Sequence, residues 1–173
     1  MPEFDGRKLD DIIDYLNYVF IPMFFIYRFK LIPPAWAPVL FLVLLASVYR
    51  FCEESAKTSD GYFTGFPSYW NFVAFYCYAL GGPSVLNGVI LLFWAIMVFV
   101  PIKYIHASQT PVLRTLNILL TFALAVVMFF IILDFEHPDV RLVIVSLLYW
   151  AYYFGLSFYL HFRGRRARKA TAK

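Results

Sequence analysis

Four long stretches of the chain contain no charged residue, and they restrict its fold more than any other feature. They span residues 31–49, 61–102, 115–133 and 142–160. About 20 apolar residues suffice to cross the hydrocarbon core of a bilayer as a helix. Apolar residue types make up 62% of the 173 residues and charged types 15%, whereas soluble domains average about 45–50% apolar and about 25% charged. The sequence therefore predicts an integral membrane protein and excludes an ordinary soluble fold.

The boundaries of the helices follow from breaker residues and from charges at the ends of the runs. Gly81-Gly82-Pro83 divides the second run, because glycine frees the backbone and proline cannot continue a helix. A further apolar run, from Tyr15 to Tyr27, is short for a membrane span. It reaches spanning length if its helix starts at Asp10 and if the side chains of Arg28 and Lys30 snorkel to the interface at its far end. We therefore predict an all-α, polytopic integral membrane protein with about six transmembrane helices, at about 10–29, 34–52, 69–81, 84–103, 114–133 and 140–161.

The distribution of basic residues predicts the orientation in the membrane. Of the 15 Lys and Arg residues, only Arg28, Lys30 and Arg141 fall on the side opposite the termini, and cytoplasmic loops carry the excess of these residues. We predict that both termini are cytoplasmic, with residues 1–162 as the membrane domain and 163–173 as a basic cytoplasmic tail. Because the basic excess is confined to this tail, we expect membrane lipids as partners and no nucleic acid.

Acidic residues at the start of the first predicted helix do not fit a purely structural membrane segment. Asp10 and Asp14 are four residues apart, so on a helix they share one face, where like charges repel unless a cation or a proton lies between them. Paired carboxylates suit a hard divalent cation such as Mg²⁺ or Mn²⁺. The alternative is a helix N-terminus at which the macrodipole favours aspartate. Asp14 fits that alternative less well, because a carboxylate at membrane depth is costly and usually functional.

The pattern Gly6-x-x-x-Asp10-x-x-x-Asp14 resembles the second half of the motif of the CDP-alcohol phosphatidyltransferases. Within that family, several segments are similar to the bacterial phosphatidylcholine synthases. These segments are Leu9 to Pro22, Ala56-Lys57-Thr58-x-Asp60, Gly65-Phe-Pro-Ser-Tyr-Trp-Asn71 and Phe99-Val-Pro-Ile-Lys103-Tyr-Ile-His106. The similarity covers nearly the whole chain, and the run from Gly65 to Asn71 is specific.

The resemblance implies an activity and roles for residues of the acidic helix. Enzymes of this kind transfer a phosphatidyl group from CDP-diacylglycerol to choline and release CMP, with Mn²⁺ or Mg²⁺ as cofactor. Asp10 would be a metal ligand, and Asp14 would be the general base that takes the proton from the choline hydroxyl. Gly6 would let the backbone pass close to the nucleotide. The resemblance also implies the bacterial inner membrane and, as in many relatives, a homodimer.

The first half of that motif, D-x-x-D-G-x-x-A-R, has no counterpart before Gly6. Asp5 cannot serve, because the expected Ala-Arg would fall on Leu9 and Asp10. We therefore expect this chain alone to be inactive. In one hypothesis the chain is the carboxy-terminal part of a longer enzyme. In another it is a catalytically inactive membrane scaffold or lipid-binding subunit, and in a further one a partner chain supplies the missing half.

Basic residues at the predicted cytoplasmic ends of helices are candidates for binding the substrate phosphate. They are Arg50, Lys57 and Lys103, which fall on the same side as Asp10. The alternative for each is ordinary anchoring by the positive-inside bias. The sequence alone leaves both interpretations open.

The run that ends at Asn71 supplies the remaining candidates. Asn71 is a candidate substrate-binding residue, although Ser68 could cap its helix and Asn71 could satisfy only backbone donors. Tyr69, Trp70 and Tyr78 could surround choline's quaternary ammonium, since aromatic faces bind such a cation without a counter-charge. An aromatic belt at the membrane interface is the alternative for these three side chains.

Overall fold

A computed structural model describes residues 4–53 and 61–171. Over these residues the chain forms six helical segments and one pair of short strands. The elements are α1 (Gly6–Tyr15), a π-helical turn (Leu16–Phe20), α2 (Ile21–Arg28), α3 (Ala37–Cys52), β1 (Tyr62–Thr64), α4 (Trp70–Ala79), α5 (Ser84–Met97), β2 (Lys103–Ile105), α6 (Arg114–Leu133) and α7 (Val140–Thr171). The π-turn joins α1 and α2 into one helical segment. The predicted helical architecture is confirmed, and the strand pair is an addition to it.

Three helices in the described part of the chain are long and apolar enough to cross a membrane, judged by length and composition. They span Pro34–Cys52, Arg114–Leu133 and Val140–Gly164. The predicted segments 34–52 and 114–133 agree closely with two of them. Helix α5 is apolar but shorter, at Ser84–Met97. The orientation of the termini stays a prediction.

The predicted helix at 84–103 is too long. Helix α5 ends at Met97, and Pro101 follows, which lacks an N–H donor and disfavours helical backbone in the residue before it. The chain then becomes extended: the Gly65 N–H donates to the Ile102 carbonyl at 2.8 Å, and β1 pairs antiparallel with β2. Lys103 therefore lies in a strand and not at a helix end. The two strands are far apart in sequence, so no local hairpin signal announces their pairing.

The chain divides into two compact units. The first comprises Met1–Ala56 and Phe66–Val100, and the second comprises Lys57–Gly65 and Pro101–Lys173. In the first unit, α2 packs on α4 and α3 packs on α5. Apolar side chains between these helices are fully buried, among them Val19, Val43, Trp70 and Leu91. Gly88 on α5 lies directly beneath the ring of Trp36, where a Cβ atom would come within 2.5 Å of Cε3.

In the second unit, polar side chains join α6 to α7. The Tyr152 hydroxyl donates to Oδ1 of Asn117 at 2.7 Å, and the hydroxyl oxygens of Thr121 and Tyr149 lie 3.0 Å apart. Hydrogen bonds between side chains in an apolar surrounding have no competition from water. They fix one helix against the other at these two levels.

Helix α7 also takes the place of a further strand beside β2. The Tyr153 hydroxyl donates to the Ile105 carbonyl at 3.0 Å, and the Ile105 N–H donates to Oγ of Ser157 at 3.1 Å. The Lys103 N–H donates to Nδ1 of His161 at 3.1 Å. Residues 153, 157 and 161 are spaced by four, so they lie on one face of the helix. They satisfy the edge of the strand, which no third strand covers in the described residues.

The end of α7 extends beyond the predicted span of 140–161. Its backbone stays helical through Thr171, so helix runs through most of the segment predicted as a tail. Ala, Arg and Lys have high helix propensity, and no proline interrupts them. The assignment of 163–173 as a separate cytoplasmic tail stays a prediction.

Candidate active site

Helix α1 presents the acidic residues on an open surface. Asp5 caps its N-terminus, and its carboxylate accepts hydrogen bonds from the N–H groups of Arg7 and Lys8 at 3.1 Å each. These bonds, foremost that from Lys8, hold the pKa of Asp5 below its usual value. Asp10 is exposed and Asp14 is half-buried. The two carboxylates stand one turn apart on the same face, as the spacing predicts.

The π-turn that follows Asp14 has an identifiable cause in Pro22. A proline inside a helix has no N–H to donate, and its ring clashes with the carbonyl four residues earlier. Here the turn before it is widened, so that the Ile21 N–H donates to the carbonyl of Leu16, five residues back. A π-turn inserts one residue into the helix. It therefore sets the direction in which Asp14 faces relative to α2.

Three helices of the first unit converge near Asp14. The Tyr15 hydroxyl donates to the Leu44 carbonyl on α3 at 3.2 Å, and the Tyr15 ring meets that of Phe51 edge to face. Helix α4 contacts α2 and the π-turn. Tyr78, near the end of α4, packs on Phe25 near the end of α2, so the two helices run in the same direction. The start of α4 therefore lies beside the π-turn.

The end of α3 supplies a buried cation to this region. Arg50 is 6% exposed, and its guanidinium forms an ion pair with Glu53 at 2.6 Å. One turn earlier, Oγ of Ser47 accepts a hydrogen bond of 2.8 Å from Nε1 of Trp70, which links α3 to the start of α4. Burial and pairing distinguish Arg50 from an exposed anchoring residue. The role in phosphate binding predicted for it stays a prediction.

The start of α4 differs from the prediction that Ser68 caps it. The N-cap position is Tyr69, and no side chain caps the helix. Ser68 has a φ of 56°, which turns its backbone into the left-handed region and away from capping geometry. Ser68 is 3% exposed. Its Oγ and the Oδ1 of Asn71 are buried without a hydrogen-bond partner among the described residues.

The three aromatic candidates for choline do not form one cluster. Trp70 is completely buried, and its ring meets Phe66 edge to face. Tyr78 lies near the other end of α4, against Phe25 and Phe29. Tyr69 is half-buried at the start of α4 and is the one of the three that stays near Asn71 with part of its ring accessible.

The remaining candidates fall elsewhere. Lys103 belongs to the second unit, where its ammonium lies 5.3 Å from the ring centre of Tyr62. Lys57 lies outside the described residues. Gly6 begins α1, and nothing stands within 4 Å of the position that a Cβ would take there, so the fold itself does not require a glycine.

The carboxylates fit a magnesium-type ion in part. Across residues 4–53 and 61–171, no group of three or more His, Cys, Asp or Glu side chains is arranged to hold a metal. Asp10 and Asp14 could supply oxygen ligands from one face. Mg²⁺ is commonly held by one or two carboxylates, with waters and substrate phosphates completing its coordination. These two residues could thus contribute to such a site, which the described residues do not enclose by themselves.

Sequence reasoning missed Ser47 and Glu53. The spacing of three between Arg50 and Glu53 is a signal for a helical ion pair, and it was available in the sequence. The bond from Trp70 to Ser47 joins residues far apart in the chain, and no local pattern predicts it.

Comparisons with known proteins agree with the resemblance. The chain is 35% identical to the phosphatidylcholine synthase of Legionella pneumophila, over 99% of this chain and 71% of the relative. It is 36% identical to that of Legionella bozemanae, over 92% and 77%, and 35% identical to that of Borreliella burgdorferi, over 95% and 72%. No protein-family model matches the sequence, and no solved structure matches it at a significant level.

Proposed function

The chain belongs to the phosphatidylcholine synthase family, and on this premise we propose that it takes part in the transfer of the phosphatidyl group of CDP-diacylglycerol to choline. The expectation that this chain alone is inactive stays a prediction. The products are phosphatidylcholine and CMP. The name that these relatives share favours an enzyme over an inactive scaffold or a lipid-binding subunit. The observation that carries the proposal is Asp14, a half-buried carboxylate one turn from Asp10, at the point where α1, α3 and α4 converge.

The proposed chemistry assigns one role to each carboxylate. Asp14 accepts the proton of the choline hydroxyl while the choline oxygen attacks the phosphorus that carries diacylglycerol, and the bond from that phosphorus to CMP breaks. A general base within hydrogen-bond reach contributes about 10²–10⁴-fold to such a step. Asp10 would hold the cofactor, which we propose to be Mg²⁺ or Mn²⁺. When bound, the ion would neutralise the diphosphate and stabilise CMP as the leaving group.

One basic residue of the first unit, Arg50, supports this assignment. Arg50 holds a buried positive charge beside the start of α4, where a phosphate could add to its pairing with Glu53. Guanidinium groups bind phosphate oxygens in a planar, two-point geometry.

The protein is an integral membrane protein. The finer location is part of the proposal: the bacterial inner membrane, with both termini and the Asp10–Asp14 face on the cytoplasmic side, where CDP-diacylglycerol and choline would meet. The positive-inside distribution of Lys and Arg supports that orientation. A homodimer is a further prediction from the resemblance.

The test is choline-dependent release of CMP by membranes that contain the complete gene product. We expect Asp14→Asn to lower the rate by about 100-fold or more, because an amide cannot accept the proton. Asp11→Asn is the matched control, since Asp11 is an exposed carboxylate of the same helix outside the motif, and it should keep the rate. Equal activity of the Asp14 variant and the wild type would refute the assignment of the base.

A further inference from the structure

Two buried oxygen atoms at the start of α4 are the basis of this inference. Across residues 4–53 and 61–164, three buried side-chain oxygens lack a partner, namely Ser68 Oγ, Asn71 Oδ1 and Tyr104 Oη. Two of the three, on Ser68 and Asn71, are three residues apart in the chain, at the start of α4 in the first unit. Leaving a buried polar group unsatisfied lowers the free energy of unfolding. Such atoms are expected to meet a ligand or an ordered water.

The location of the pair favours a substrate. Trp70, between Ser68 and Asn71, is bonded to Ser47 on α3, and Ser47 lies one turn from Arg50. Helix α4 packs alongside the π-turn that follows Asp14. The unsatisfied atoms are therefore at the same end of the first unit as the proposed base.

The chemistry of the pair selects a hydroxyl group. A serine hydroxyl both donates and accepts, whereas an amide oxygen only accepts. A ligand hydroxyl is complementary to both, because it can accept from Ser68 and donate to Asn71. It stays complementary if the amide of Asn71 is turned over, since it can then accept from the nitrogen. A phosphate offers no donor for the amide oxygen, and a quaternary ammonium offers no N–H at all.

We propose that Ser68 and Asn71 bind a hydroxyl group of a substrate through the two unsatisfied atoms. The proposal rests on the proposed function, whose nucleotide substrate carries this group on the ribose of cytidine; the single hydrogen of the choline hydroxyl is directed to Asp14. Ser68 and Asn71 hold the hydroxyl near Asp14 and do not themselves react.

Stability and substrate affinity should move in different directions when the pair is altered. Removing an unsatisfied buried polar group is neutral or stabilising, so Ser68→Ala and Asn71→Leu should keep or raise the melting temperature. Ser68→Ala keeps the Cβ atom, so the strain of its positive φ does not change. Each variant should nevertheless raise the KM for one substrate by about tenfold, which corresponds to the loss of about 1.4 kcal/mol of binding.

Separate titrations of choline and CDP-diacylglycerol test the source of the hydroxyl, because the KM for CDP-diacylglycerol should rise and the KM for choline should not. The matched control is Ser157→Ala, which removes a buried hydroxyl that is fully bonded, to Ile105 and to Tyr153. This control should lower the melting temperature and leave both KM values unchanged. If the Ser68 and Asn71 variants leave both KM values within about twofold of wild type, the atoms hold only water and the proposal is wrong.

A binding measurement separates this proposal from the proposed function. If wild type releases no CMP with choline, the proposed function fails. The pair is then tested by thermal shift of the full protein with choline alone and with CMP alone. A stabilisation of wild type by CMP that is lost in Ser68→Ala supports the site. No stabilisation of wild type by CMP, or one that Ser68→Ala keeps in full, overturns it.

Discussion

The backbone N–H of Lys103 donates to Nδ1 of His161 at 3.1 Å, across 58 residues of sequence. Ser157 and Tyr153 form hydrogen bonds to the backbone of Ile105 in the same way. One face of α7 therefore satisfies backbone N–H and C=O groups on the outer edge of β2. A short strand on an open edge leaves N–H and C=O groups without partners. In this protein helix side chains supply those partners.

His161→Leu should destabilise the second unit by about 1 kcal/mol, because the Lys103 N–H loses its acceptor. His161→Gln, whose amide oxygen can accept the same bond, should recover part of the loss. Hydrogen exchange at the Lys103 amide is the direct measurement, and it should accelerate in the leucine variant. Unchanged protection of that amide would mean that the bond does not contribute.

Gly88→Ala should destabilise the first unit by about 1–3 kcal/mol through overpacking. The added Cβ would stand 2.5 Å from Cε3 of Trp36, so the ring or the backbone of α5 would have to shift. Gly155→Ala is the matched control, because nothing stands within 4 Å of its Cβ position in α7. That control should be stabilising by about 0.5–1 kcal/mol from helix propensity. Melting temperatures in detergent would compare the two.

Tyr104→Phe should leave stability unchanged or raise it, since the buried hydroxyl has no partner in the described structure. Burial raises the pKa of Tyr104 from 10.0 to about 12. Because the folded pKa is the higher one, the unfolded chain loses the phenol proton first, and the stability of the wild type falls as the pH rises from about 10 to 12. The difference in melting temperature between variant and wild type should therefore grow in the variant's favour over that range.

The hydropathy of the chain predicted the helices well, because long uncharged runs have few alternatives to spanning a bilayer. Segments 34–52 and 114–133 agree with the observed helices. The error at 84–103 arose because an apolar run does not reveal where a helix becomes a strand. Pro101 was the available signal, and the strand pairing with Tyr62–Thr64 depends on residues that sequence patterns do not connect.

The candidate site was predictable only where it is local. The spacing of Asp10 and Asp14 placed them on one face without reference to any other element. The burial of Arg50, the bond between Trp70 and Ser47 and the unsatisfied Ser68 depend on how α3 meets α4. Pro22 could have signalled the π-turn, but the direction in which Asp14 faces follows only from the observed helix.

The bonds from α7 to β2 impose an order on biogenesis. Both strands are complete in the nascent chain once Ile105 is made, yet the side chains that satisfy the outer edge belong to residues 153–161 and are synthesised later. Until then the backbone groups at that edge lack these partners. Formation of α7 is thus the step that commits the second unit to its final form, and a nascent chain arrested before it would expose an edge suited to aggregation.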